Sequence, residues 1–364
     1  MKQIIKRGSF FTLMFMLLGC LSIHAADDDL ITKQITIKLD EAGTLPNKIG
    51  SSRKYQITNL KLIGEINGTD WNMIREMTRL SVLDLSEVRI VRGGDYYYQT
   101  PNWNYCYTYN DEIGSYAFSG CSRLTSLTLP AGITEIRDHA FRGCSGLTSL
   151  NLPAGITSID EGAFYGCSGL TSLNLPAGIT WIGGDAFYGC SGLTSLNLPA
   201  GITSIGYHAF YGCSGLTSLN LPAGITSIGE GAFYGCSGLT SLTLPAGITS
   251  IGEYAFEGCS GLTSIYVYAE KVPGIGSYAF KGCDAKKCTV YVPKGTYDDY
   301  WLSDFGYFEN IVEFDATGID KTTTSTDVEE VSRYSVNGQR LVGPTKGLNI
   351  VKYSDGRVKK VAVE

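Results

Sequence analysis

CSGLTSLNLPAGITSIGEGAFY, residues 213–234, recurs before and after itself with few changes and almost none of length. Phe118, Phe141, Phe164, Phe187, Phe210, Phe233, Phe256 and Phe280 are each followed three residues later by a cysteine, from Cys121 to Cys283. The period is 23, and 24 for the last step. A fixed period in this range marks a solenoid, in which one unit is one coil and buries its apolar side only by stacking. Within the unit, Leu219 and Leu221 are two apart, so a short strand puts both inward with Ser218 and Asn220 outward. Pro222 ends that ladder, Gly224 turns the chain, and Ile225 to Ile228 form a second short extended side. The spacing of Ala232, Phe233 and Cys236 predicts a single helical or 3₁₀ turn facing inward, loosened at its end by Gly235.

The pattern LxxLxLPxxIxxIxxxAFxxC resembles the BspA-like leucine-rich repeat of bacterial surface and secreted proteins, from Ile113 to about Val292. The resemblance implies an α/β repeat: a leucine-rich repeat solenoid of 23-residue turns, each with short parallel strands and one short helical turn. It departs from the general leucine-rich pattern in one column, where the expected Asn or Cys is Gly132, Gly155, Gly178, Gly201, Gly224 and Gly247. The asparagine ladder of other leucine-rich repeats is therefore absent.

Six further regions flank or interrupt the array of residues 112–292. Residues 1–26 carry Lys2, Lys6 and Arg7, an apolar run and Ala25-Ala26, the pattern of a cleaved secretory signal. Leu17-Leu18-Gly19-Cys20 offers the rival reading, a lipoprotein signal that would leave Cys20 lipidated and anchor the chain to a membrane. Residues 27–90 read as an N-terminal cap, with a strand over 34–39, a helix over 70–77 capped by Thr69 or Asp70, and two degenerate turns at Leu60, Leu62, Ile66 and Leu80, Leu83, Leu85. Residues 91–111 interrupt the period and carry Tyr96, Tyr97, Tyr98, Trp103, Tyr105, Tyr107 and Tyr109, an aromatic density at odds with disorder. Residues 293–315 form a C-terminal cap, 316–332 a linker, and 333–364 a small all-β tail of two or three strands with a turn at Ser354-Asp355-Gly356. The tail resembles the sorting domain of the type IX secretion system in its Gly347-to-Val351 and Lys360-to-Val363 features, which implies export to the cell exterior.

The chain holds 29 basic and 35 acidic side chains, a net charge of −6, with no Lys or Arg between Arg142 and Lys271. A nucleic-acid backbone finds no electrostatic footing along such an array. His139 and His208 occupy the same column three coils apart, roughly 14 Å at the strand spacing, too far to share a metal or a catalytic triad. No metalloprotease, nucleophile-elbow or phosphate-loop motif occurs, and no enzyme, metal or small-molecule cofactor is expected. One cysteine per coil is the pattern of a buried ladder of free thiols, with Cys106, Cys283 and Cys288 as exceptions to check.

Two surfaces are open to a ligand. The strand face presents Thr128, Asn151, Asn174, Asn197, Asn220 and Thr243, and a tyrosine column follows the phenylalanines at Tyr165, Tyr188, Tyr211 and Tyr234. Trp181 stands where neighbouring coils have serine. Members of the family that the array resembles act as adhesins toward host matrix proteins or other cells. That resemblance implies an extracellular protein-binding role, and the Tyr and Trp platforms offer glycan capture as the alternative. The aromatic residues of 91–111 and Trp181 are the candidate contacts.

Overall fold

A computed structural model describes residues 30–316, 330–335, 340–344, 346–353 and 358–363. The signal segment with Cys20, most of the expected linker and the Ser354–Gly356 turn lie outside the described residues.

Each coil of the array makes two strand contacts with its neighbours. The longer strands stack in parallel: Ser126–Thr128 joins the cap sheet, and Ser149–Asn151 through Thr289–Pro293 run in one eight-stranded sheet that ends at Asn310–Phe314. Register is kept residue for residue, Leu173 beside Leu150 and Leu219 beside Leu196. The two-residue strands form two four-stranded sheets, which part between Trp181–Ile182 and Ser204–Ile205. Between them lies one continuous core of leucine, isoleucine, alanine, phenylalanine and cysteine. Leu219 is buried and Asn220 exposed, as alternation requires; in the Leu221 column, Leu152, Leu175, Leu198 and Leu221 are only partly buried at the rim, while Leu129 and Leu244 are buried.

The Ala-Phe-Cys segment turns inward as expected, through single bonds of the 3₁₀ type that do not join into a helix. No coil contains a helix there; the segment is a chain of tight turns closed by bonds such as Tyr234 N to Gly231 O (3.0 Å) and Cys236 N to Phe233 O (3.2 Å). The remaining amides point along the solenoid axis. Phe233 N donates to Ala255 O, and Gly235 N to Glu257 O, both at 2.7 Å, and the same bonds repeat coil after coil. A helical turn would have spent those donors within the unit; here they form a third ladder between units. Consecutive Phe rings from Phe118 to Phe280 stack at 5.1–5.5 Å with planes within 10° of parallel.

Other side chains do the work of the missing asparagines. Thr171, Thr194, Thr217, Thr240 and Thr263 each donate a hydroxyl to the backbone carbonyl of the threonine one coil earlier, at 3.1–3.3 Å. Cys144, Cys167, Cys190, Cys213 and Cys236 lie inside, and each Sγ sits 3.1–3.2 Å from the carbonyl oxygen of a phenylalanine in the preceding coil. The glycine column belongs to a turn that closes on itself, Ile225 N to Pro222 O at 3.1 Å.

The N-terminal cap stands in for a coil that is not there. Strands β1 (Ile35–Lys38), β2 (Asn59–Ile66) and β3 (Val82–Ile90) continue the sheet. The cap helix runs from Gly68 to Glu76, and its N-cap is Asn67 rather than Thr69 or Asp70. Asn67 accepts from Thr69 N, and Asp70 closes a capping box on Asn67 N while also taking Gly43 N and Leu45 N. Carbonyls of the first Ala-Phe segment have no preceding coil to donate to them. Trp71 Nε1 donates to Ala117 O at 3.0 Å, and Arg75 donates to the Tyr116 and Ala117 carbonyls.

At the other end, Phe305 and Phe308 pack on Phe280 and close the phenylalanine stack. The tail holds four antiparallel strands, Glu330–Ser335, Arg340–Leu341, Gly347–Tyr353 and Val358–Val363. The first of them begins inside the stretch expected as linker. Buried Arg333 donates to Asn349 Oδ1 there at 3.2 Å.

Candidate functional site

The insert at residues 91–111 folds as a hairpin. Strand β4 (Gly93–Gln99) pairs antiparallel with β5 (Tyr105–Thr108), Tyr98 opposite Cys106 and Gln99 opposite Tyr105. It passes so close to the cap helix that a Cβ on Gly68 would lie 1.9 Å from Asp95 O. Burial splits the aromatic residues into two sets with different jobs, and because the register shifts between Gly93 and Tyr98 the split does not follow simple alternation.

Tyr97 and Tyr98 hold the hairpin down. Tyr97 is buried, its hydroxyl donates to Ser115 O at 2.8 Å, and its ring centre lies 6.3 Å from that of Trp71. Burial raises its phenolic pKa well above the usual tyrosine range. Tyr98 stacks on Tyr116 at 4.8 Å, with the Arg75 guanidinium 4.6 Å from its ring centre.

Tyr96, Trp103, Tyr105, Tyr107 and Tyr109 are exposed. Tyr96 and Tyr105 pair across the strands at 4.7 Å. Trp103, 77% exposed, occupies the tip in a left-handed conformation with φ 63°. The tip is closed by Trp103 N to Thr100 O and Thr100 N to Asn104 O, both 2.9 Å. Glycine usually fills a left-handed hairpin position, because a Cβ there is strained. A bulky side chain at such a place is a reason to look for function.

Between this hairpin and the first coils lies a cleft of about 790 Å³. Tyr105, Tyr107 and Tyr109 line one wall, and Asp138, Asp160 and Glu161 the other. Arg137 crosses the floor, held by Glu112 through two bonds of 2.9 and 3.0 Å, by Glu135 at 2.6 Å and by Asp160 at 3.6 Å. Burial, and next the charge of Asp138, raise the carboxyl pKa of Asp160.

Trp181 lies on a different part of the array, half-exposed at the seam between the two sheets of short strands. Tyr165, Tyr188, Tyr211 and Tyr234 stack at 4.4–4.6 Å and are half-buried, with Arg142 over the first of them at 5.3 Å. On the strand face Thr128, Asn151, Asn174, Asn197 and Asn220 are exposed, and Thr243 is half-buried. His208 Nδ1 sits 3.6 Å from Asp185 Oδ1, while His139 packs against Tyr116 at 4.8 Å. Cys106, Cys283 and Cys288 are free thiols, like the other described cysteines. Among the described residues no cluster of three or more His, Cys, Asp or Glu is arranged to hold a metal, and no helix is long and apolar enough to cross a membrane.

Reading the sequence alone missed the carboxylate wall. Its signal was present in the column six residues before each array cysteine, which reads Ser115, Asp138, Glu161, Gly184, Tyr207, Glu230, Glu253 and Ser277.

Stacked parallel coils on a leucine, isoleucine and phenylalanine core, with an atypical cap at each end, define a leucine-rich repeat solenoid. A family model described as BspA type leucine-rich repeat region matches residues 105–206 and 180–300, together more than half of the chain, and the chain belongs to that family. A leucine-rich repeat protein from Bacteroides ovatus is 22% identical, with a TM-score of 0.48, over 70% of this chain and 65% of that one. The chain thus spans less than two thirds of that structure's length. The T. pallidum leucine-rich repeat protein is 31% identical, with a TM-score of 0.44, over 53% of this chain and 86% of that one. A leucine-rich cell surface protein from Faecalibacterium prausnitzii is 22% identical, with a TM-score of 0.34, over 79% and 91%. No curated protein matches the chain.

Proposed function

We propose that this protein is a secreted or cell-surface binding protein, an adhesin that engages a host matrix or cell-surface protein through the outward face of the hairpin. Membership of the BspA-type family supports a protein-binding role. The observation that carries the choice of site is Trp103, 77% exposed at a strained position. Large aromatic side chains give contact area at low entropic cost, and a rigid scaffold beneath them keeps that cost low. The test is binding of the full chain to a panel of immobilised extracellular-matrix proteins, repeated with Trp103→Gly and Tyr105→Ala. Loss of binding in both variants is expected, and binding that survives both removes the hairpin from the reading.

A second reading, capture of a glycan, is favoured by the Tyr96–Tyr105 ring pair beside Trp103, since exposed ring faces also stack on sugars. A glycan array run with the same two variants separates it from the first. The four-stranded tail is proposed as a sorting module for export by a type IX route. Deletion of residues 330–364 in the native host should then leave the protein inside the cell envelope, and unchanged surface display would refute that role.

A further inference from the structure

We propose that the cleft between the hairpin and the first coils docks a basic, extended segment of a protein partner, its Lys and Arg side chains seated between tyrosine rings and carboxylates. This rests on the proposed function and adds the chemistry of the ligand.

Charge complementarity fixes the occupant. The four carboxylates that line the cleft, Glu112, Asp138, Asp160 and Glu161, face one guanidinium, that of Arg137. Arg137 is already held by Glu112, Glu135 and Asp160, so its charge is spent on the floor. Asp138 and Glu161 are exposed above it, Glu161 beside the Tyr207 hydroxyl. The same column is uncharged at Gly184 and Tyr207 and negative again at Glu230 and Glu253, and no Lys or Arg occurs between Arg142 and Lys271 to offset the charge.

The opposite wall suits the same ligand. A guanidinium or ammonium group is attracted to the face of a tyrosine ring, the more so where carboxylates lie close by. The chain makes this pairing three times around the hairpin and the first coils: Arg75 with Tyr98, Arg92 with Tyr109 and Arg142 with Tyr165, at 4.6, 5.7 and 5.3 Å. Tyr105 and Tyr107 line the cleft with about half of their surface exposed and, among the described residues, have no such cation over them. At about 790 Å³ the cleft holds a few residues of extended chain and excludes a folded domain.

The test uses the full chain and two fluorescent twelve-residue peptides, one alternating Lys and Arg with Ser and Gly, the other with Glu in place of the basic residues. Fluorescence anisotropy should show binding of the basic peptide alone, weakening severalfold as salt is raised from about 50 to 300 mM. Asp138→Asn with Glu161→Gln should weaken it by about fivefold or more, and Tyr107→Ala by about threefold, without change in melting temperature. Equal binding of the acidic peptide, no binding of the basic one, or indifference to the charge variants would overturn the inference. A matrix protein that still binds the charge variants at full affinity leaves the proposed function standing and removes only the basic segment. Failure of every matrix protein while the basic peptide binds removes the adhesin reading instead.

Discussion

Gly162 lies directly beneath the imidazole of His139: a Cβ built on the glycine would come within 2.1 Å of His139 Nδ1. Gly231 stands in the same relation to His208, 2.4 Å from Cδ2. The column five residues before each array cysteine is left-handed in all eight coils, with φ between 49° and 61°, yet only these two members are glycine. Gly162→Ala should therefore lose about 1–2 kcal/mol from backbone strain and more from the clash. His139→Ala in the same chain should recover the clash but not the strain. Denaturant unfolding of the four proteins reads this as a favourable coupling, and strictly additive losses would show that the imidazole does not press on residue 162.

At the hairpin tip the same backbone preference works in the opposite direction. Trp103→Gly relieves a left-handed aromatic residue that is exposed and so forfeits little packing. The melting temperature should stay constant or rise, by up to about 1 kcal/mol in stability, while binding to the matrix ligand falls at least about tenfold. A lowered melting temperature would assign the ring a structural role.

Tyr97 gives the contrast. Removing its ring and its hydrogen bond to Ser115 O should destabilise by about 3 kcal/mol or more in Tyr97→Ala, and by about 1 kcal/mol in Tyr97→Phe. Equal effects of the two variants in thermal melts would mean that the hydroxyl, not the ring, seats the hairpin.

On the strand face, Leu196→Asp puts a carboxylate into the core, whereas Asn197→Asp leaves one in water. The first should cost several kcal/mol and the second less than about 0.5 kcal/mol. Similar losses in calorimetry would place the two faces wrongly.

The thiol ladder predicts alkaline sensitivity. Burial pushes the Cys213 thiol up to about 12, and Cys190 and Cys236 are raised in the same direction. Thiols in the unfolded chain titrate near about 8.5. Their contribution to stability is therefore complete below that value and is lost as pH rises toward 12. Melting temperature should fall across this window, and less steeply when Cys190, Cys213 and Cys236 are all replaced by Ala. An unchanged slope in that variant would assign the alkaline loss to other groups.

Much of the array was legible because its residues answer only to the coil they stand in. Leu219 inward and Asn220 outward follow from alternation, and Ala232, Phe233 and Cys236 turn inward whatever the backbone does. The inward turn and its i-to-i+3 closure were legible, but not that its other amide donors are spent between coils, on Ala255 O and Glu257 O, since one unit does not reveal such a bond. The cap at Asn67 could have been found, since Asn67 and Asp70 stand at the spacing of a capping box. Which of seven aromatic residues face inward on the hairpin depends on Trp71, Tyr116 and Ser115, all outside the insert. The thiol and threonine bonds that replace an asparagine ladder likewise join residues about one coil apart.

Because every phenylalanine sits on the next at 5.1–5.5 Å, the array is graduated like a ruler. Copying one 23-residue unit would insert a coil that meets the same neighbours as before, and would move the hairpin about 5 Å farther from the C-terminal cap. On the proposed function, reach and recognition are thereby set by separate parts of the chain. Repeat number alone governs how far the aromatic tip stands from the other end, and selection is free to lengthen the molecule without redesigning what it touches.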